Sequence, residues 1–142
     1  MRKTTEYLHS DSWVLLAIIY SGAQKGALLE EVIAVGDYIN HAIFCFEELE
    51  GALARLSTGK YIRRKGKFFF PTEKTMNFWR EVHKKRSYVH KDWERIAQFI
   101  HAKPWEKGST PQKVNEGYSY KWINRELFQQ AVDKYLGKEE LN

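Results

Sequence analysis

The stretch FEELEGALARLSTGKYIRRKGKFFFPTEKTMNF, residues 46–78, decides the fold class that the sequence predicts. Its first apolar side chains recur at i, i+3, i+4 and i+7, which places them on one face of an α-helix: Leu49, Ala52, Leu53 and Leu56. Gly59 follows, and glycine readily takes the left-handed conformation found just past a helix C-terminus. We therefore predict a helix over 46–57 that ends at Thr58-Gly59.

A short β-hairpin is predicted directly after this helix. An extended run begins at Tyr61-Ile62, residues 63–67 (RRKGK) form a polar turn with one glycine, and β-prone apolar residues return at 68–70 (FFF). Thr72 suits the N-cap of a further helix, with Glu73 in its first turn. The predicted order is therefore helix, hairpin, helix.

The rest of the chain is predicted to be mostly helical. Before the quoted stretch we expect, in order, a loose arm over 1–9, helices over 11–21 and 27–35, a turn at Gly36-Asp37, and a short helix or a compact turn over 38–44. Ser10 or Asp11 is expected to cap the first helix. After the hairpin we expect, in order, helical structure over 73–101, either continuous or broken near Ser87-Tyr88, a linker over 102–117, and a helix over 124–136 capped by Asn124.

This order of elements resembles the second half of a winged helix-turn-helix domain, as found in transcription regulators of the MarR and PadR families. Three pieces carry the resemblance: Arg55-Leu56-x-x-Gly59-x-Tyr61-Ile62, the basic hairpin as the wing, and Phe70-x-Thr72-x-Lys74. It covers about residues 10–78, roughly half of the chain. The resemblance implies a mainly α fold with a small β-hairpin, in which a winged-helix domain over 1–78 precedes a C-terminal extension over 79–142, made of a basic helix and aromatic helices.

DNA binding in transcription regulation, by a cytoplasmic homodimer, is the function that the resemblance implies. In such regulators the third helix enters the major groove of double-stranded DNA and the wing contacts the backbone. The side chains expected to contact phosphates are those of the wing, the following helix and, less favourably, helix 3: Arg63, Arg64, Lys65, Lys67, Lys84, Lys85, Arg86 and Arg55.

The distribution of charge agrees with a polyanionic partner. The net charge of +5 combines −4 over residues 1–57, where four Lys/Arg face eight Asp/Glu, with +9 over 58–142, where nineteen face ten. Residues 60–91 alone hold eleven basic and two acidic side chains, which concentrates the excess on the wing and the next helix. Such a surface suits nucleic acid, although a solvated basic helix would have the same composition.

Helix 3 departs from the pattern of a base-reading helix. Its first turns carry Glu47, Glu48 and Glu50, which suit the positive end of the helix dipole. Among base donors in the major groove, a carboxylate can accept only from cytosine, and it repels phosphates. The segment from Gly36 to helix 3 is also longer than a usual helix-turn-helix turn. Either helix 3 is not the reader, or its glutamates form only a solvated helix start.

Aromatic residues in the second half support an alternative function, a protein-interaction winged helix or a dimeric adaptor that does not read DNA. They are numerous after the hairpin: Phe78, Trp79, Trp93, Phe99, Trp105, Tyr118, Tyr120, Trp122 and Phe128. Aromatic side chains are enriched at the cores of protein interfaces. The competing interpretation is that they pack the C-terminal extension onto the first domain.

The sequence predicts no catalytic, metal or cofactor site. His41 and Cys45 are four residues apart, but Cys45 lies in an apolar stretch, which favours buried packing over a nucleophile. His83, His90 and His101 are expected to be surface residues. No metal, phosphate-loop or hydrolase motif is present. The longest apolar run, residues 13–20, suits a buried helix and falls short of a membrane span, and the single cysteine fits a reducing cytoplasm.

Overall fold

The computed structural model describes residues 5–83, 88–104 and 118–137. These ranges hold six α-helices and one two-stranded antiparallel sheet, in the order α1 (His9–Gly22), α2 (Leu29–Asn40), α3 (Phe46–Thr58), β1 (Ile62–Lys65), β2 (Phe68–Pro71), α4 (Glu73–Val82), α5 (Val89–Phe99) and α6 (Arg125–Leu136). The predicted class, mainly α with a small β-hairpin, is confirmed. Lys84, Lys85, Arg86 and Trp105 lie outside the described residues.

Helix α1 occupies the centre of the fold. Residues 11–19 are buried without interruption, as expected for a helix that is apolar on all sides. It packs against α2, α3, α5 and β2. The prediction of a buried helix over the longest apolar run is confirmed, and no helix in the described ranges is long and apolar enough to cross a membrane.

The start of α1 differs from the prediction. Leu8, and not Ser10 or Asp11, is the N-cap residue. Asp11 sits three positions later, where its carboxylate accepts a hydrogen bond of 2.9 Å from the Leu8 backbone N–H, as the third residue of a capping box does. Residues 5–8 are not a loose arm, because the Tyr7 carbonyl accepts a hydrogen bond of 2.8 Å from the Lys103 N–H.

The predicted turn at Gly36-Asp37 is wrong, because α2 continues through it to Asn40. Gly36 is a packing residue: a Cβ there would overlap the ring of Phe44, and the Gly36 carbonyl accepts a hydrogen bond of 2.8 Å from Trp13 Nε1. Helix α2 ends instead at His41, whose φ of 55° is left-handed. The connection from α2 to α3 is therefore only the five residues 41–45.

Helix α3 matches its predicted range, but Gly59 plays another role than the predicted left-handed cap. Its φ is −80°, and the left-handed residue is Lys60, with φ 61°. A Cβ at Gly59 would overlap the Tyr7 hydroxyl. The space that a side chain at residue 59 would fill is occupied by the end of the Tyr7 side chain and by the ring of Tyr61.

The predicted hairpin is confirmed, but its turn is shorter than the predicted 63–67, because Arg63, Arg64 and Lys65 pair with β2 as part of β1. Its register pairs Ile62 with Pro71 and Lys65 with Phe68, and Gly66 begins the two-residue turn with a φ of 60°. A third segment joins the sheet, because Ala27 and Phe69 exchange two backbone hydrogen bonds of 2.8 Å. The connection between α1 and α2 thus fastens the hairpin to the core.

The C-terminal elements share the core of the N-terminal ones. The region over 73–101 forms two helices, of which α5 packs on α1, and α6 packs on α2. The predicted last helix is confirmed, with Asn124 accepting from the Leu127 N–H at 2.7 Å and Gly137 left-handed at φ 74°. The boundary expected after residue 78 falls inside α4.

Replacing Gly36 by alanine tests whether the glycine is kept for packing. We expect Gly36→Ala to destabilise the protein by about 1–3 kcal/mol, since the methyl group overpacks against Phe44 and this outweighs the gain of about 1 kcal/mol in helix propensity. Urea unfolding followed by circular dichroism measures the change. In the Phe44→Leu background the same substitution should cost clearly less, and equal costs in both backgrounds would contradict the packing role.

Candidate nucleic-acid interface

The hairpin places four cationic side chains in solvent. Strand β1 contributes Arg63, Arg64 and Lys65, the turn contributes Lys67, and all four are exposed. The partner strand anchors them, because Phe69 is fully buried and packs edge-on against Trp122 with 5.3 Å between ring centroids. The result is a basic hairpin, residues 62–71, whose charged side is solvated and whose inner side is held by the core.

Both arginines of the basic hairpin lie over aromatic rings. The Arg63 guanidinium carbon is 4.2 Å from the centroid of Phe70, its cross-strand neighbour, and that of Arg64 is 5.0 Å from the centroid of Trp122. Arg64 also donates a hydrogen bond to the Gly66 carbonyl. Because successive strand residues alternate in direction, the two guanidinium groups lie on opposite faces of the hairpin. Stacking orients each planar donor before any anion arrives.

No described carboxylate forms an ion pair with the four hairpin cations. Four exposed cations elsewhere in the described ranges are paired: Lys91 with Glu94, Lys103 with Glu6, Arg125 with Glu47 and Lys134 with Glu30. Paired surface charges largely neutralise each other, whereas the positive charge of the hairpin is not neutralised by any carboxylate in the described ranges. An anion that approaches either face of the hairpin therefore meets cations with no carboxylate competitor among the described residues.

Helix α4 adds little free charge to this surface. The Lys74 ammonium donates to the Gly59 carbonyl at 2.9 Å and lies 3.9 Å from the centroid of Tyr61, so it closes the end of α3. Arg80 lies 3.6 Å from the Glu73 carboxylate. The predicted phosphate contacts at Lys84, Lys85 and Arg86 lie outside the described residues.

Arg55 is in the interior, which corrects its prediction as a phosphate contact. Its side chain is 1% exposed and binds the fully buried Asp11 carboxylate through two hydrogen bonds, of 2.7 and 2.9 Å. The guanidinium also lies 4.8 Å from the centroid of Tyr118. Burial raises the pKa of the Asp11 carboxyl, and the Arg55 guanidinium and the Leu8 N–H limit that rise. This pair ties α1 to α3.

Helix α3 offers no free face for reading bases. Every residue over 51–56 is buried, and none over 46–57 is fully exposed. Its glutamates are not a solvated helix start: Glu47 is paired with Arg125 of α6, which lowers the pKa of the Glu47 carboxyl, and Glu48 accepts from the Cys45 N–H at 3.0 Å. Base reading by α3 has no support in this arrangement.

The aromatic residues of the second half pack within the chain where the structure describes them. Phe78 stacks on Phe99 with 4.1 Å between ring centroids, and Trp79 meets Tyr20 of α1 at 5.9 Å. Phe128 of α6 similarly meets Phe46 of α3 at 5.9 Å. These contacts are the packing that we considered as the alternative to a partner surface.

Cys45 and His41 flank the connection between α2 and α3. His41 ends α2 in the left-handed conformation and Cys45 precedes α3, so the two residues do not share the helix face that their spacing suggested. Burial raises the pKa of the Cys45 thiol to about 12, the opposite of what a nucleophile needs. Across the described ranges, no group of three His, Cys, Asp or Glu side chains is placed to hold a metal ion.

The sequence does not predict the role of two residues, Phe70 and Trp122, whose rings lie beneath the arginines of the basic hairpin. Phe70 lies directly across from Arg63, so the hairpin register alone would have paired a cation with a ring. Trp122 is 58 positions from Arg64 in the chain, and no local pattern connects them. Only the packing of the C-terminal segment on Phe69 brings it under the hairpin.

Comparison with known proteins gives no match, either among family models or among curated proteins and solved structures. The charge, packing and burial of the residues described above are therefore what indicate a function.

Removing one partner of the buried ion pair tests its role in holding α1 against α3. We expect Asp11→Ala to destabilise the protein by about 3–5 kcal/mol, because it leaves the Arg55 charge buried without a partner. Urea unfolding measures the loss. The double variant Asp11→Leu/Arg55→Met should recover part of it, and Glu73→Ala in the exposed pair should cost under about 1 kcal/mol. A mild effect of Asp11→Ala would show that Arg55 finds water in the native state.

Alkylation of Cys45 tests the absence of a nucleophilic site. With its pKa raised to about 12, the thiol stays protonated at pH 8, whereas the unfolded chain regains an ordinary thiol. Iodoacetamide should therefore modify the native protein at least about tenfold more slowly than the protein in urea. Mass spectrometry follows the reaction. Modification of the native protein as fast as in urea would contradict the raised pKa of the Cys45 thiol.

Proposed function

We propose that this protein is a non-enzymatic DNA-binding regulator that holds double-stranded DNA through phosphate contacts from the basic hairpin. The observation that carries the proposal is the set of four exposed hairpin cations, Arg63, Arg64, Lys65 and Lys67, which no described carboxylate neutralises. Two of them are oriented over aromatic rings. Planar guanidinium groups held in this way suit two-point hydrogen bonding to phosphate oxygens.

The arrangement of elements supports a winged-helix architecture for this function. Three helices precede the hairpin, and the segment between the first two joins the sheet through the Ala27–Phe69 bridge. The connection between α2 and α3 is shorter than the sequence suggested, because α2 extends to Asn40. The basic hairpin then takes the place of a wing beside the nucleic acid.

Burial of α3 limits the kind of DNA recognition that we propose. Sequence is read by contacts to base edges, whereas phosphate contacts position a protein on any duplex. With residues 51–56 buried and Arg55 bound to Asp11, the cations that we expect to meet a duplex are those of the hairpin. We therefore expect binding that depends weakly on sequence and strongly on salt.

A protein-interaction module or dimeric adaptor is the second candidate. The burial of α3 favours it, since a winged helix that does not read bases is free for other partners. Against it, the described aromatic residues that suggested a partner surface are used in internal packing. The homodimer implied by the resemblance remains part of the DNA-binding proposal.

Neutralising strand β1 of the hairpin tests the proposal. In a fluorescence anisotropy titration of a labelled random 20-base-pair duplex, Arg63→Gln/Arg64→Gln/Lys65→Gln should weaken binding by at least about tenfold at low salt. The slope of log affinity against log salt should become shallower by about two to three, since each lost phosphate contact removes about 0.9. The physical reason is the loss of counterion release at three phosphates.

A matched control separates hairpin contacts from net charge. Lys91→Gln/Lys103→Gln/Arg125→Gln removes the same number of charges from cations that are already paired. It should leave the affinity within about threefold of the unaltered protein and keep the salt slope. Equal losses in both variants would show that only net charge matters. No binding at low salt, or binding that salt does not weaken, would reject the DNA proposal in favour of the second candidate.

A further inference from the structure

A cleft of about 280 Å³ opens beside the turn of the basic hairpin. It lies between the start of α2 and α6, and its lining includes Glu30, Lys67, Trp122, Gln130 and Lys134 together with leucines of both helices. Its volume is just below the roughly 300–1,000 Å³ of sites for drug-sized ligands, which suits one flat ring system.

The lining combines flat apolar surface with polar groups. Trp122 and three leucines, Leu28, Leu29 and Leu127, provide aromatic and apolar surface, and Gln130 provides an amide that can both donate and accept hydrogen bonds. Lys134 is 3.2 Å from Glu30 and so is largely neutralised. Lys67 is the cation of the lining that has no ion pair among the described residues. An aromatic ring that carries hydrogen-bonding groups and is joined to an anion matches this combination.

The cleft adjoins the cationic surface of the basic hairpin. Lys67 belongs to both, and Arg64 of β1 stacks on Trp122 of the cleft. Nucleic acid that lies along the hairpin therefore passes the mouth of the cleft, with its phosphates near Lys67. The group joined to such a phosphate through a sugar is a nucleobase, and bases stack well on aromatic side chains and on guanidinium planes.

We propose that the cleft takes one unstacked nucleobase of a DNA held by the basic hairpin, so that the protein prefers DNA with an unpaired segment to an intact duplex. This inference rests on the proposed function, since the hairpin must first hold the backbone. In an intact duplex the bases are stacked and paired, so none enters the cleft without the cost of extrusion. An unpaired segment removes that cost while leaving the phosphate contacts in place.

Anisotropy titrations of two labelled 20-base-pair duplexes test this inference, one fully paired and one with four central unpaired thymines on each strand. The readout is the ratio of the two affinities, which cancels changes in the phosphate contacts common to both. We expect the unpaired duplex to bind about tenfold tighter, within the range that stacking of one base is worth. Trp122→Ala should reduce this ratio to near one, with circular dichroism confirming that the variant is folded.

A second variant avoids the packing of Trp122 on Phe69. Gln130→Glu replaces the amide in the lining of the cleft by a carboxylate, which cannot donate a hydrogen bond to a base, and should also lower the ratio. Gln129→Glu is the matched control: it changes the same charge at the adjacent exposed position of α6, outside the lining, and should keep the ratio.

Each outcome separates the two proposals. Equal affinity of the unaltered protein for both duplexes overturns the base-binding cleft and leaves the hairpin proposal standing. A preference that survives both Trp122→Ala and Gln130→Glu overturns the cleft as its source. Binding of neither duplex at low salt instead rejects the proposed function itself.

Discussion

The buried ion pair between Asp11 and Arg55 constrains the rest of this structure. Both side chains are almost fully removed from solvent. Loss of either partner of such a pair strongly destabilises the folded protein, because the other charge stays buried without a partner. Asp11 also accepts from the Leu8 N–H, so the same carboxylate sets the start of the central helix and the position of α3. A cation that could have faced DNA is thereby used to hold α3 against α1.

Because α3 is held in this way, the accessible charge lies on the basic hairpin. The hairpin is not a free loop: Phe69 is buried against the core, its backbone is bonded to Ala27, and Trp122 packs against it. This anchoring fixes the backbone that carries the cations, and the ring contacts of Arg63 and Arg64 reduce the side-chain freedom that these two lose on binding. The described surface therefore combines an exposed cationic hairpin with a buried third helix, which is why we propose contacts to the DNA backbone and not reading of base edges.

Local signals were sufficient to predict most elements of the fold. Apolar periodicity predicted α3 and α6, and the basic turn between β-prone residues predicted the hairpin, because each depends on neighbours within a few positions. The errors concern residues whose role is set by distant partners. Gly36 was interpreted as a turn because the ring of Phe44 that it accommodates cannot be inferred from the glycine itself, and Arg55 was assigned to the surface because its partner lies 44 positions away. The hairpin cations are adjacent in the sequence and could be predicted, whereas the ring of Trp122 beneath Arg64 is distant in the chain and could not.

Hydrogen exchange followed by mass spectrometry, with and without a saturating random duplex at low salt, shows whether the basic hairpin or α3 contacts DNA. If the basic hairpin is the contact and α3 stays closed, added protection should appear in peptides that cover residues 62–71, while those that cover 46–58 exchange as in the free protein. Protection confined to 46–58, or faster exchange there on binding, would contradict the account, since either result means that α3 leaves its buried position to meet the DNA.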